Sequence, residues 1–347
     1  QKVASTLGQM NIFDKFNRPL KDLRISVTDK CNFRCPYCMP KETFGVAYKF
    51  LPKEDILSFE EISRLTRIFS QLGVSKIRLT GGEPLLRMNV SNLINMINEL
   101  DGIKDIALTT NAYLLPKQAE KLKQAGLKRI TISLDSLDNE VFKHMNGVGF
   151  SVDKVLEGIA SAQQVGLTPI KINCVVQKGV NDHTIVDLAK YCKENNFILR
   201  FIEYMDVGNQ NQWDFDHVVP SQEIVRIIEK DLDIRPIKKN YPEEVADRYE
   251  YSDGSGEIGL ISSVTKPFCS QCSRARLSTD GKLVTCLFAT GGIDLKTPMR
   301  SGATDSELTN LITSSWNVRQ DRYSEERSTN QTPDASKNKI EMFHIGG

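Results

Sequence analysis

From Leu23 onward, short apolar runs alternate with longer stretches in which apolar residues recur every three or four positions. The runs occupy residues 23–27 (LRISV), 76–80 (KIRLT), 106–110 (IALTT), 129–134 (RITISL), 170–176 (IKINCVV) and 198–203 (ILRFIE). Their length and β-branched content predict strands, and the helical periodicity between them predicts helices. One helix is expected over residues 59–72, with Ser58 as its cap, and another over residues 116–125, with Pro116 in its first turn. Gly73, Gly126 and Gly166 stand where helices would end before the next strand. Six β–α units in series imply a parallel sheet, so the fold class is α/β, a partial (β/α)6 TIM-like barrel.

Polar residues gather at the ends of these runs. Thr80, Gly81, Gly82 and Glu83 follow the second, Asn111 the third, Ser133 and Asp135 the fourth, and Glu203 with Met205 the sixth. Active sites of parallel barrels form at the C-terminal ends of the strands, so these residues should face one mouth. After about Lys238 a polar stretch leads to a second group of cysteines and a tail rich in Ser, Thr and Asn. The expected organisation is an N-terminal extension (residues 1–22), a barrel (23–239) and a smaller C-terminal module packed on it (240–347).

Charge narrows the function classes. Forty-five basic and forty-four acidic residues leave a formal charge of +1, so no global field draws the chain to nucleic acid or to a membrane, and any polyanion site must be local. No apolar run reaches the length of a membrane span, and a soluble cytoplasmic protein is expected. Eight cysteines in such a chain suggest metal rather than disulfides. Cys174 and Cys192, isolated inside a strand and a helix, read as core residues.

The other six cysteines form two trios. Cys31, Cys35 and Cys38 lie in the loop after the first strand, where packing does not explain them. No histidine follows until His144, which weakens zinc as a reading. A four-iron cluster held by three thiolates keeps one iron open to a small molecule. Cys269, Cys272 and Cys286 form the second trio, for which zinc with an open position is a fairer rival. Arg274 and Arg276, one residue apart on an extended chain, would project the same way and offer two forks to a phosphate.

The first trio and its spacing closely resemble the radical S-adenosylmethionine superfamily, as does the Gly81-Gly82-Glu83-Pro84 stretch. With "IRLTGGEPLLR", "TTN", "ISLD", "RFIEYMDVGN", "FCSQCSRARLSTDGK" and the terminal "IGG", the chain from about Asp14 to Gly347 is similar to the GTP 3′,8-cyclase family of molybdenum cofactor biosynthesis. The resemblance implies two [4Fe-4S] clusters, one on each trio. It also implies S-adenosylmethionine held near Tyr37, Gly82, Ser133 and Met205. GTP would be held by Arg24, Lys76, Arg78, Thr109, Lys171, Arg200, Arg274, Ala275 and Arg276.

The implied reaction is removal of the ribose 3′ hydrogen of GTP by a 5′-deoxyadenosyl radical, with C3′–C8 bond formation to (8S)-3′,8-cyclo-7,8-dihydroguanosine 5′-triphosphate. The implied partners are an external electron donor, a downstream cyclic pyranopterin monophosphate synthase and a second copy of the chain in a homodimer, with no nucleic acid and no membrane. Three departures from the family pattern stand out: Ala112 where glycine is usual, Asn89 where aspartate is common, and no basic residue in 146–149. A peptide-modifying radical enzyme with an auxiliary cluster is the alternative. The stretch 324–339 is expected to pack weakly. The last residues, from Ile340, regain apolar character, and their terminal carboxylate is expected to reach the barrel arginines.

Overall fold

The first half of the chain runs β1 (Asp22–Ser26), α1 (Phe59–Gln71), β2 (Lys76–Thr80), α2 (Val90–Asn98), β3 (Asp105–Thr110), α3 (Ala119–Gln124), β4 (Arg129–Ser133), α4 (Asn139–Asn146) and α5 (Asp153–Gln164). It continues through β5 (Ile170–Val176), α6 (Ile185–Glu194), β6 (Ile198–Glu203), α7 (Ser221–Glu229), β7 (Ile234–Ile237), β8 (Asp247–Tyr251) and β9 (Glu257–Ile261). The remaining elements are β10 (Arg274–Leu277), β11 (Lys282–Val284), β12 (Ile293–Asp294), α8 (Lys296–Arg300), α9 (Asp305–Asn317), α10 (Tyr323–Asn330) and α11 (Met342–Ile345). This computed structural model describes residues 10–330 and 338–347, so the first nine residues of the expected N-terminal extension lie outside the described residues.

Local chemistry explains the first helix. The Ser58 side chain accepts from the Glu61 N–H while the Glu61 carboxylate accepts from the Ser58 N–H, a reciprocal cap, and Ile62, Leu65, Ile68 and Phe69 turn one stripe into the core. The second expected helix is shorter than its pattern. A 3-10 turn spans Leu115–Lys117, and α3 begins only at Ala119, because Gln118 leaves the helical conformation to donate to the Leu85 carbonyl at 3.0 Å.

All six expected strands are present and parallel, in the order β1-β2-β3-β4-β5-β6. The segment expected as a separate module does more than pack on them. β9 pairs parallel with β6 and β10 pairs parallel with β1, so the sheet has eight parallel strands, and the antiparallel pairs β8-β7 and β11-β12 flank its two ends. Both edges of the six-stranded sheet would have exposed unpaired backbone, and the C-terminal third covers them.

Parallel strands buried on both faces normally read as continuous apolar runs, yet these alternate. In β5 the apolar Ile170, Ile172, Cys174 and Val176 are buried, whereas Lys171, Asn173 and Val175 are less so and occupy the other face. The outer face meets the helices; the inner face carries the polar side chains. Cys174 and Cys192 are both core residues.

Candidate active site

The mouth of the barrel is built from strand ends. Cys31, Cys35, Tyr37 and Cys38 after β1, Gly82 after β2, Asn111 after β3, Ser133 and Asp135 at β4, and Met205 after β6 line one cavity with Cys269, Cys272, Cys286, Arg274 and Arg276. Both cysteine trios thus face a common space. The loop after β1 folds tightly: the Cys38 and Met39 N–H groups donate to the Cys35 carbonyl at 2.9 and 2.8 Å, and the Phe33 N–H points at the Cys31 sulfur at 3.4 Å. Gly82 is required there, because a Cβ would stand 2.2 Å from the Lys30 carbonyl oxygen.

Every thiol of both trios is free, and each trio is mutually close enough for its sulfurs to raise one another's pKa. Burial, with the Glu83 carboxylate adding to it, pushes the Cys31 thiol up to about 12. Burial also opposes ionisation of Cys272, but the Arg274 and Arg319 guanidiniums prevail and bring it down to about 6. Among the described residues no three cysteine, histidine or carboxylate side chains converge closely enough to hold a single metal ion, whereas three soft donors facing one cavity, with amide or guanidinium hydrogen bonds to sulfur, suit the larger iron–sulfur group.

The mouth carboxylates are already occupied. Glu83 accepts from the Leu85 and Asn111 N–H groups at 3.0 and 2.7 Å and from the Thr110 hydroxyl at 2.7 Å; its burial nevertheless pushes it up to about 7. Glu203 accepts from the backbone of Ser221, Val264 and Thr265 at 2.7 to 2.8 Å and so ties β6 to the C-terminal segment. Asp135, raised to about 6 by burial, accepts from the Tyr37 hydroxyl at 2.8 Å and the Val175 N–H at 2.9 Å, fixing the Tyr37 ring.

Deeper in the barrel the chemistry reverses. Arg24, Arg78, Arg200 and Arg274 line both the mouth cavity and a second cavity toward the N-terminal strand ends, which Lys76 and Lys171 share. Lys76 and Lys171 therefore sit at the floor, away from the cysteines. Among the described residues none of these six cations has a carboxylate within ion-pair distance. Arg78 donates to the Thr109 and Thr131 hydroxyls, both at 3.0 Å; Arg200 reaches Thr131 at 3.3 Å, and its buried Nε has no partner. Burial and the neighbouring guanidiniums push Arg200 down to about 9 and Lys171 down to about 8. Thr131, which joins Arg78 to Arg200, was invisible to sequence reasoning. Its only signal is that its position in β4 lies beside Lys171 and Thr109 in register.

Ala275 does not join this set through its side chain. It is fully buried and alternates with Arg274 and Arg276, which face the cavity. Residues 241–248 line the floor, with the Lys76 ammonium 3.6 Å from the centre of the Tyr241 ring.

The tail corrects two expectations. Arg327 and Lys339, inside the stretch expected to pack weakly, are buried and converge on Asp206; residues 331–337 lie outside the described residues. α11 then crosses the mouth: Phe343 packs on Phe44 and Tyr48 of the cysteine loop, and Gly347 lines the cavity. Arg276 does receive the tail, but through the carbonyls of Ile345 and Gly346 rather than the terminal carboxylate. Only glycine fits at 346, with φ 75° and a Cβ that would fall 2.0 Å from Thr80.

The departures from the family pattern have local solutions. Ala112 does adopt a left-handed φ of 61°, fully buried, and the absence of a side chain at Gly158 makes room for it. Asn89 adopts φ 58°, a conformation that asparagine tolerates. Asn146 is buried and closes its own turn through the Val148 and Phe150 N–H groups.

Comparison with known proteins agrees with this geometry. A family profile described as the Radical SAM superfamily matches residues 25–192, and one described as Molybdenum Cofactor Synthesis C matches residues 197–325. Over 337 residues the chain is 50% identical to a Staphylococcus haemolyticus protein named GTP 3′,8-cyclase, covering 97% of this chain and 99% of that one. A protein of the same name from Staphylococcus aureus (strain MRSA252) is 48% identical with the same coverage. The chain belongs to the GTP 3′,8-cyclase family.

Membership in the radical SAM superfamily brings S-adenosylmethionine and an iron–sulfur cluster with it, and the first cysteine loop fits that group. The second profile begins at residue 197, immediately before β6, and so takes in β6 together with the C-terminal segment that pairs with it. Among solved structures, SuiB of Streptococcus suis, described as bound to S-adenosylmethionine, shares the fold: TM-score 0.59 at 18% identity, over 93% of this chain and 73% of that one. No helix among the described residues is long and apolar enough to cross a membrane.

Proposed function

We propose that this chain converts GTP to (8S)-3′,8-cyclo-7,8-dihydroguanosine 5′-triphosphate, the first step of molybdenum cofactor biosynthesis. The observation that carries the reading is the floor: half-buried Arg24, Arg78 and Arg200, with Lys76 and Lys171, have no carboxylate within ion-pair distance among the described residues and suit an anion. Unpaired buried charge is costly, and a triphosphate supplies several oxygens to such forks. A peptide substrate would leave these cations unmatched.

Tyr37, held by Asp135, would flank the adenine of S-adenosylmethionine, with Gly82, Ser133 and Met205 completing that side. A four-iron cluster on Cys31, Cys35 and Cys38 would supply the electron that cleaves S-adenosylmethionine to the radical that takes the ribose 3′ hydrogen. Cys269, Cys272 and Cys286 would hold a second cluster facing the purine, and Arg274 and Arg276 would orient the nucleotide between the two. Thr109 and Thr131 hold Arg78 in place for the phosphates, and residues 241–248 line the floor. An external donor would reduce the protein, and the next enzyme in the sequence must accept a cyclised nucleoside triphosphate.

The test is anaerobic incubation with S-adenosylmethionine, a strong reductant and GTP deuterated at C3′. Deuterium should appear in 5′-deoxyadenosine, and the product should retain the triphosphate. Transfer from a different position, or equal turnover of ATP, would overturn the reading.

A further inference from the structure

The segment before β1 carries no part in the function derived so far, yet it holds two buried charges, Asp14 and Arg18. Asp14, Arg18 and Arg319 are 7%, 2% and 5% exposed. One Asp14 oxygen receives the Arg18 Nε at 2.6 Å and an Arg319 amino group at 3.2 Å, while the other caps the turn through the Phe16 and Arg18 N–H groups, both at 2.9 Å. Each guanidinium then reaches past Asp14 to a cysteine of the second trio. Arg18 donates to the Cys269 carbonyl at 2.7 Å, and Arg319 donates to the Cys272 carbonyl at 2.8 Å. Arg18 also donates to the Asp321 carbonyl at 2.8 Å; Arg319 reaches the Asp321 carboxylate at 3.2 Å and lies 4.5 Å from the centre of the Trp316 ring.

Two features set this apart from ordinary core polarity. Cys269 opens a three-residue 3-10 turn and Cys272 ends it; the Cys269 carbonyl accepts only the Cys272 N–H of that single turn, at 3.2 Å, with Arg18 as a second, charged donor, and Arg319 donates to the Cys272 carbonyl beyond the turn. The buried charges also do not cancel: two buried arginines share one buried aspartate, and the second partner of Arg319, Asp321, is partly exposed, so positive charge lies beside Cys269 and Cys272. Hydrogen bonds and charge around a cluster's ligands set both how tightly it is held and its potential.

We infer that Arg18, Asp14 and Arg319 form a buried brace that positions Cys269 and Cys272 and sets the charge felt by the group they hold. The three are positioning residues that act through the cysteine backbone. This inference rests on the proposed second cluster, so the test separates the two.

The test uses full-length protein in which Cys31, Cys35 and Cys38 are all alanine, reconstituted anaerobically with iron and sulfide. If this protein binds no iron, the second-cluster reading fails and the brace with it. If it holds a cluster, Arg319→Gln, Asp14→Asn and Arg18→Lys are introduced one at a time, and the midpoint potential and the rate of iron loss to a chelator are measured. Arg319→Gln should shift the potential downward and Asp14→Asn upward, because they remove charges of opposite sign. Arg319→Gln should also release iron about tenfold faster. Arg18→Lys keeps its charge and loses the aimed bond, so it should release iron faster at an unshifted potential, a readout independent of whether Arg319→Gln folds. Parental potentials and rates throughout, or shifts of one sign for Arg319→Gln and Asp14→Asn, would overturn the brace.

Discussion

The mouth and the floor of this barrel treat charge in opposite ways. At the mouth the carboxylates of Glu83, Asp135 and Glu203 are each spoken for by backbone N–H groups or hydroxyls of the chain itself. At the floor, none of Arg24, Arg200 and Lys171 has a carboxylate at ion-pair distance among the described residues; of the carboxylates that line the same cavity, Asp105, Glu243 and Glu257 pair with Arg129, Lys21 and Arg248 instead. The first pattern is architecture: buried polar groups are satisfied internally, and the loops that carry the cysteines are thereby fixed. The second is a site left incomplete by the fold, because the energy of pairing those cations is reserved for a ligand.

The sharpest way to separate the regions is Cys35→Ala. It should abolish 5′-deoxyadenosine formation outright while GTP binding at the floor, followed by equilibrium dialysis, stays unchanged. Loss of both together would join what the structure keeps apart.

A second comparison pairs one residue from each region. Glu203→Ala leaves three buried N–H groups without their acceptor and should cost about 3 kcal/mol or more of stability in urea denaturation. Arg200→Met removes a crowded, half-buried cation and should stabilise the ligand-free protein by about 1 kcal/mol. The same change should weaken GTP by about 1.5–3 kcal/mol, roughly tenfold to a hundredfold. Arg200→Met that loses stability would place Arg200 with the architecture.

The smallest effect is in the pH dependence of GTP affinity. Lys171, lowered to about 8 by burial and by Arg200, Arg129 and Arg78, should regain its proton when a polyanion binds. The complex then binds more protons than the free protein. Affinity should be full below pH 8 and fall as pH rises above it, by at most about tenfold per pH unit for one proton. Lys171→Arg should flatten this slope in calorimetric titrations.

Much of this was legible in the chain. The six strands, the cap at Ser58 and the residues of both cysteine trios follow from periodicity, helix-start chemistry and short-range spacing, all of which are local properties. Arg24 and Lys171 were reached through the family resemblance, and strand alternation then fixes which face they share.

What local pattern could not decide was which distant segments would meet. Residues 257–261 and 274–277 looked like parts of a separate module, yet they complete the sheet at its two edges, a pairing set by unsatisfied backbone groups on strands far away in sequence. Arg327 and Lys339 lie in a polar stretch that appeared loose, and only the buried Asp206 gives them a place. Ala275 shared a motif with Arg274 and Arg276 but alternates to the other face. Arg18 and Arg319, about three hundred positions apart, share one carboxylate. Sequence determines the conformations a short segment prefers and the chemistry it carries. Which charges end up paired, and which are left for a ligand, depends on long-range contacts that exist only once the chain has closed on itself.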